Sequence, residues 1–303
     1  MEITRDLNVT IEEETLIDMH SVLNVANVIL YEIMNLSTVL GDPPSLVDLY
    51  DRVVAIVSAL RDRTESMRHV ENIEQFVAHC EQVVTEEANR AGKSEDPRVV
   101  LSRENLRSIF DILIVRAREI VARRQNPDAW VEHDIAQLQN NFVNVLSAIE
   151  LNDKGRYSIV YNLAEHEDRR YLVNFAISSW NRKSVCMPAV FQDVMRDLLA
   201  NARKYTTPGG TITAGLYDGG DELRFVVTDE GVGIPDHEIE EVVLFGRRGS
   251  NVTDRVTRGG GFGLTKAYYV TRKFRGRMWI DSPVVGTTGT RVEIRIPHPT
   301  TEQ

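Results

Sequence analysis

The chain has 303 residues, 42% of them hydrophobic, and a formal net charge of -10 at pH 7. This length and composition can bury the cores of two ordinary domains, which excludes a disordered chain. The acidic balance disfavours nucleic acid as the main partner. Cys80 and Cys186 lack the spacing of a disulfide framework or a zinc site, and they fit a reducing cytoplasm. No apolar run approaches the roughly 20 residues of a membrane span, so we expect a cytoplasmic protein without one.

The first half of the chain, residues 1–150, is predicted to be a helical bundle. Apolar residues recur there at helical spacing, and breaks rich in glycine and proline separate four segments. The predicted helices cover about 11–40, 45–91, 99–124 and 127–150. Long amphipathic helices with short connections favour a bundle, and a second copy of the chain is the expected partner in a homodimer.

The second half, residues 151–303, has a different pattern. Strand-like runs with turn signals between them predict a mixed, mostly antiparallel sheet with helices on one face. The predicted strands are about 157–163, 171–177, 211–217, 222–228, 276–281 and 290–296, and a helix covers 190–205. The fold class predicted for the whole chain is therefore α+β.

Three glycine-containing segments follow one another in this half: Asp229–Pro235, Gly259–Leu264 and Gly286–Thr290. Glycine lets backbone approach a ligand closely, and N–H groups at the start of a helix after Gly263 would face anionic oxygens. Asp229, at the end of a strand, can accept a hydrogen bond from an exocyclic amine such as that of adenine. Each segment alone is a weak signal, but their order and spacing indicate a nucleotide site.

The predicted helix 190–205 brings polar side chains to the same site. Asp193, Asp197, Asn201 and Lys204 recur along one face at helical spacing. Oxygen ligands for magnesium and a lysine for phosphate would therefore lie together.

From about Asn152 to Pro297 the chain resembles the ATPase family shared by histidine kinases, gyrase, the Hsp90 chaperones and MutL, and the histidine kinases most closely. The resemblance implies an α/β sandwich of the Bergerat (GHKL) type that binds ATP and Mg²⁺. It implies that Asn201 ligates magnesium, Lys204 contacts phosphate and Asp229 contacts adenine. Asp197 departs from the family, which often has Asn there, yet it could be a second magnesium ligand. The other nucleotide-binding residues implied are Tyr205, Gly231, Gly233, Arg247, Arg248, Gly259, Gly261, Gly263, Leu264 and Thr290.

The segment Gly246–Arg258 lies between two of the matched motifs and is rich in arginine. We interpret it as a mobile lid whose charges meet the phosphates, rather than as a solvated basic loop. Its arginines are Arg247, Arg248, Arg255 and Arg258.

A histidine kinase also needs a phosphate acceptor, and His20 on the first predicted helix is the leading candidate. Asn24 lies one turn later on the same face, where it could orient a water against a phosphoryl group. This short segment resembles the H box of histidine-phosphotransfer domains. It departs from that motif at Ser21, where the family usually has an acidic general base. His133, followed by Asp134, is the competitor, although it leaves little room for a helical hairpin before the ATP-binding segment. Most histidines on amphipathic helices are ordinary boundary residues.

Three functions compete. The first is a cytoplasmic two-component histidine kinase that phosphorylates His20 and transfers the group to an aspartate of a response regulator receiver domain, with a phosphatase activity through Asn24. The second is a protein serine kinase resembling the mitochondrial-type dehydrogenase kinases, with Asp193 or Asp197 as base. The third is a phosphotransfer or regulatory protein that does not autophosphorylate. We favour the first.

Overall fold

The computed structural model describes residues 1–152, 158–160, 170–252, 261–282 and 289–299. The chain forms two compact units. The helical unit is Val9–Asn126, and the sheet unit combines Met1–Asn8 with Pro127–Gln303. The two units therefore meet after residues 8 and 126, and not at residue 150, where the sequence pattern placed the boundary. The reason is strand pairing, because both the first residues of the chain and Trp130–Asp134 pair with strands of the sheet unit.

The helical unit contains five helices, and the first is the most clearly encoded. Helix α1 spans Ile11–Leu40, begins with a reciprocal capping box between Thr10 and Glu13, and ends at Gly41 with φ of 89°. The other four are α2 (Pro44–Ala59), α3 (Arg63–Glu71), α4 (Ile73–Arg90) and α5 (Pro97–Gln125). The predicted helix 45–91 is therefore wrong as one element. Asp62 caps α3 by accepting hydrogen bonds from two backbone N–H groups, and a second break follows at Asn72.

By length and composition, α1 is apolar enough to cross a membrane. Ile29, Ile33 and Leu36 on this helix are almost completely buried inside the helical unit. A core helix of a soluble protein passes the same test of composition, so this is weak evidence for a membrane span. The absence of a membrane span stays a prediction.

The sheet unit is built on a six-stranded mixed sheet within the described residues. Its strand order is β2-β3-β5-β6-β8-β7. β2 pairs parallel with β3 and β3 with β5, whereas the other neighbours are antiparallel. The strands are β1 (Trp130–Asp134), β2 (Ser158–Val160), β3 (Arg170–Ser179), β4 (Ser184–Pro188), β5 (Thr211–Asp218), β6 (Glu222–Asp229), β7 (Arg277–Asp281) and β8 (Thr290–Pro297). β1 and β4 form a separate antiparallel pair. The helices are α6 (Ile135–Asn152), α7 (Phe191–Tyr205) and α8 (Gly263–Lys273).

Alternation along the strands creates the core of this unit. In β6, for example, Leu223, Phe225 and Val227 are buried, and Phe225 packs edge-on against Phe191 of α7. Helix α8 contributes Tyr268 to the same core. Burial of such side chains against one face of the sheet is the main favourable term in forming the unit. The α+β class predicted from sequence is confirmed.

The predicted fourth helix, 127–150, is wrong at its start. Residues Trp130–Asp134 form β1, which pairs with β4, and only then does α6 begin. Another pairing that the sequence analysis missed lies at the edge of the sheet. There the backbone N–H of Ile3 donates to the carbonyl of Met278 at 2.9 Å, and Ile3 is buried.

Candidate functional site

The end of β6 places a carboxylate beside two glycine-containing turns. Oδ1 of Asp229 accepts a hydrogen bond from the backbone N–H of Gly231 at 2.8 Å. Burial raises the pKa of Asp229 to about 6, while hydrogen bonds from the backbone of Gly231 and Thr290 oppose that rise. The structure therefore brings together three residues that the sequence analysis assigned to one site. A partly buried carboxylate held this way can accept a hydrogen bond from an amino group.

Two glycines at this point are required by close backbone approach. A Cβ at Gly231 would lie 2.6 Å from Oδ1 of Asp229 and 2.8 Å from the carbonyl oxygen of Tyr205. Gly289 has φ of 132°, and a Cβ there would lie 2.1 Å from the carbonyl oxygen of Asp229. No side chain fits at either position without movement of the backbone. Gly233 also has a positive φ of 72°, and its carbonyl accepts from Asn251 at 3.0 Å.

Helix α7 supplies the cationic side of the site. Lys204 lies in its last turn, half-buried, with its Nζ atom 4.9 Å from the centre of the Tyr205 ring. Burial, together with the charges of Arg248 and Arg203, lowers the pKa of Lys204 to about 8. Three cations close enough to repel one another favour an anionic ligand between them.

The start of α8 lies directly against Asn201. A Cβ at Gly263 would lie 2.8 Å from Nδ2 of Asn201. The residue before Gly263 makes no side-chain capping hydrogen bond, so the first-turn N–H groups of α8 have no partner of that kind. Helix N-termini of this sort bind phosphate oxygens. Leu264, the next residue, is partly buried and packs on the core.

The beginning of the predicted lid is packed against the same turn. The rings of Phe245 and Phe262 are 4.5 Å apart, and a Cβ at Gly261 would lie 3.2 Å from the carbonyl oxygen of Arg247. Gly246 and Gly261 both have positive φ values, 70° and 80°. Residues 253–258 of the predicted lid, with Arg255 and Arg258, lie outside the described residues, as does Gly259 after it.

The acidic residues of α7 separate into two environments. Asp193 is 2% exposed, with its carboxylate 3.3 Å from Nζ of Lys266 and 2.9 Å from Nη1 of Arg196. It is enclosed in an ion pair, which argues against a role as base. The carboxylate of Asp197 is 3.8 Å from the same Nζ atom and remains partly exposed, so it can still join Asn201 as a magnesium ligand.

Lys266 was missed by the sequence analysis. Its ammonium is fully buried between α7 and α8. Lys266 follows Gly263 by three residues and precedes Val270 by four, so helical spacing alone puts it on the inward face of α8. A lysine at such a position requires an acidic partner.

The proposed phosphate acceptor lies in the helical unit. Nδ2 of Asn24 is 3.1 Å from Nε2 of His20, which confirms that the two side chains share a face of α1. His20 is 5% exposed, whereas an acceptor was expected to be accessible. The hydroxyl oxygen of Ser21 is buried and makes no hydrogen bond within the described residues.

His133 lies in a different setting from the predicted one. It belongs to β1, opposite Val185 of β4, and not to a helix. Its ring nitrogens lie 3.2 and 3.4 Å from Nε2 of Gln192. His133 is thus part of the sheet unit itself, which weakens it as an alternative acceptor on a helical bundle.

A partly buried carboxylate, the start of a helix and a half-buried lysine around glycine turns are the features of a nucleotide-binding site. Residues 188–300 match the family described as histidine kinase-, DNA gyrase B-, and HSP90-like ATPases. This segment of the chain is similar to that family, and the predicted resemblance is confirmed. The residues present fit a magnesium nucleotide, because amide oxygens, carboxylates, backbone N–H groups and a lysine converge at one place.

Similar curated proteins are sensor histidine kinases. The chain is 36% identical over 108 residues to sensor histidine kinase Hik2 of Thermosynechococcus vestitus, which covers 36% of this chain and 28% of that protein. It is 31% identical over 107 residues to sensor histidine kinase WalK of Bacillus subtilis, covering 35% of this chain and 17% of that protein. The match to such relatives is thus limited to a third or less of their length.

Among solved structures, the mycobacterial sensor histidine kinase MprB aligns with a TM-score of 0.40 and 22% identity, covering 55% of this chain and 97% of that one. Full-length ShkA in complex with AMPPNP aligns with a TM-score of 0.41 and 17% identity, covering 64% of this chain and 38% of that one.

Proposed function

We propose that the chain is the kinase core of a cytoplasmic two-component system. It uses MgATP to phosphorylate His20 and then passes the phosphoryl group to an aspartate of a response regulator receiver domain. The observation that carries the proposal is the convergence of Asp229, Lys204 and the start of α8 around one site. The similarity of this segment to sensor histidine kinases supports it.

Each part of the site has a separate task in this proposal. The carboxylate of Asp229 accepts a hydrogen bond from the amino group of adenine. The tight turns at Gly231 and Gly289 keep that carboxylate in place. Asn201 and Asp197 would hold magnesium, which when bound neutralises charge on the phosphates. Lys204 and the first-turn N–H groups of α8 then meet the phosphate oxygens. The chemistry left to the protein is positioning and charge stabilisation.

The helical unit supplies the acceptor and, in a homodimer, the contact between two copies. His20 is buried beside Asn24, so the imidazole reaches a phosphate only when the neighbouring turns of α1 open. We therefore expect autophosphorylation to be slow in the purified chain. Asn24, once the histidine is exposed, can orient water for a phosphatase reaction, in which water attacks the phosphoaspartate of the receiver domain and releases inorganic phosphate and the free carboxylate.

A second candidate function is a regulatory protein that binds ATP without phosphorylating itself. The burial of His20 and the presence of Ser21 in place of an acidic base favour it. The serine kinase alternative loses one of its two candidate bases, because Asp193 is enclosed by Lys266 and Arg196.

The experiment that separates these candidates is incubation with radiolabelled MgATP followed by acid treatment. Phosphohistidine is acid-labile and phosphoserine is acid-stable. Acid-labile label that is lost in His20→Ala and kept in His133→Ala supports the kinase with His20 as acceptor. Acid-stable label supports the serine kinase, and ATP binding without label supports the regulatory protein. Label lost only in His133→Ala would contradict the assignment of His20.

A further inference from the structure

Helices α7 and α8 enclose a charge cluster of which the proposed chemistry uses only Asp197 directly. Lys266 has a relative exposure of 0% and Asp193 of 2%, and the Nζ and Oδ2 atoms are 3.3 Å apart. Asp197 is 3.8 Å from the same Nζ atom, and its side chain is 14% exposed. Lys266 therefore faces two carboxylates one helical turn apart on α7. Asp193 has a second cation, Arg196, at 2.9 Å.

The two carboxylates, those of Asp193 and Asp197, differ in how close they lie to Asn201 along α7. Asp193 lies two helical turns before Asn201 on α7, buried and held by two cations. Asp197 lies one turn before Asn201 on the same helix, so both side chains project over the same region. A negative charge at this position repels the phosphates of a bound nucleotide unless a nearby cation offsets it.

Lys266 also lies close to the first turn of α8, whose N–H groups are the proposed phosphate contacts. It lies one turn after Gly263, and its backbone N–H donates to the carbonyl of Phe262 at 2.8 Å, which closes the first turn of the helix. Thr265 ties the same turn to the carbonyl of Leu244 at 3.0 Å. The ammonium of Lys266 is therefore fixed between the first turn of α8 and the acidic face of α7.

We infer that Lys266 is a positioning and charge-compensating residue of the nucleotide site, whose ammonium offsets Asp197 and so permits an acid next to Asn201. This inference rests on the proposed nucleotide binding and deepens it. Lys266 does not touch the nucleotide. It acts through Asp197, and its effect grows with the negative charge of the ligand.

The test is calorimetric binding of ATP, ADP and adenosine to the full chain, with and without Mg²⁺. In Lys266→Met we expect the Kd for ATP to rise on the order of tenfold, with a smaller rise for ADP and no change for adenosine. Lys273→Met is the matched control, because Lys273 is on the same helix and pairs with Asp128 at 3.3 Å, at its opposite end. It should bind all three ligands as the wild type does.

Two double variants separate charge compensation from stability. Asp197→Asn combined with Lys266→Met removes the uncompensated charge beside Asn201, so Mg²⁺-free ATP binding should return to within about threefold of the same Asp197→Asn variant alone. Asp193→Asn combined with Lys266→Met leaves Asp197 uncompensated, so the loss of ATP affinity should persist even where thermal stability recovers. If Lys266→Met alone does not fold, the comparison of these two double variants still decides the question.

Equal recovery of ATP affinity in both double variants would show that Lys266 acts through stability alone and would overturn the inference. An equal loss for ATP and adenosine in Lys266→Met would do the same. Wild-type affinity for ATP in Lys266→Met would overturn the inference and leave the proposed function standing. Failure of the wild type to bind any of the three ligands would overturn both.

Discussion

The backbone N–H of Gly231 donates a 2.8 Å hydrogen bond to Oδ1 of Asp229, and burial nevertheless raises the pKa of that carboxyl to about 6. Desolvation thus outweighs two backbone hydrogen bonds that favour the ionised form. A carboxyl group with a pKa of about 6 becomes protonated as the pH falls just below neutral, and the protonated form is a weaker hydrogen-bond acceptor.

The first prediction concerns the pH dependence set by Asp229. The ionised carboxylate is the form that accepts from adenine, so ATP affinity should fall as the pH is lowered through about 6. The stability of the ligand-free chain depends on pH in the opposite direction to the ATP affinity. The folded-state pKa is above the ordinary value of 3.8, so this group's contribution to stability decreases as the pH rises from about 4 to about 6.

Asp229→Asn should therefore make the ligand-free chain more stable at pH 7, by about 1 kcal/mol after allowance for the partial exposure of the group. The same variant should lose ATP affinity and the pH dependence near 6. Thermal unfolding and ATP titration at pH 5 to 8 measure both effects. An ATP affinity that still falls near pH 6 in Asp229→Asn would assign the titration to another group.

Lys204 gives the second prediction. Burial and two nearby arginines lower its pKa to about 8, so a fraction of the ligand-free chain has a neutral lysine at that pH. Phosphate binding favours the ammonium form, so ATP should bind with uptake of a proton near pH 8 and more weakly above it. Calorimetry in two buffers of different ionisation enthalpy measures this uptake. Lys204→Met should abolish it, and an unchanged proton uptake in that variant would refute the assignment.

Local patterns predicted much of this molecule. The helical period and the break that begins at Gly41 predicted a helix over about 11–40, and α1 spans Ile11–Leu40, because both signals are local in sequence. The glycine turns around Asp229 were also found, since close backbone approach leaves glycine as the only residue that fits. These features depend on neighbours in sequence.

Most of the missed features depend on distant segments. The backbone of Ile3 bonds to Met278, and Trp130–Asp134 pairs with β4, so neither segment has a partner close in sequence. The break before α3 depends on one carboxylate, Asp62, inside an otherwise helical pattern. The role of Lys266 was missed because its two acidic partners lie on α7, about 70 residues earlier in the chain. Except for the Asp62 cap, which acts within three residues, the deciding contact in each case is tertiary.

The third prediction tests the contact between α8 and Asn201. A Cβ at Gly263 would lie 2.8 Å from Nδ2 of Asn201, so Gly263→Ala must displace that amide. We expect the Kd for MgATP to rise on the order of tenfold, since small misplacements of binding groups are costly. Gly215→Ala is the matched control, because a Cβ on Gly215 meets nothing within 4 Å. Equal affinity in the two variants would mean that Asn201 does not contribute to binding.

The fourth prediction asks whether Ser21 replaces the missing acidic base. Its hydroxyl oxygen is buried and makes no hydrogen bond in the part of the chain that the structure describes. A buried polar group in that state is unfavourable, so Ser21→Ala should raise the free energy of unfolding by about 1 kcal/mol. Ser58→Ala is the control, because that hydroxyl donates to the carbonyl of Val54 at 3.0 Å on an exposed face and its loss should change stability little.

Urea unfolding measures the stability of both variants, and labelling with MgATP measures whether Ser21 takes part in the phosphotransfer. Because the Ser21 hydroxyl makes no hydrogen bond to His20 within the described residues, Ser21→Ala should keep the yield of acid-labile label, whereas a loss of label with intact ATP binding would make Ser21 part of the phosphotransfer machinery.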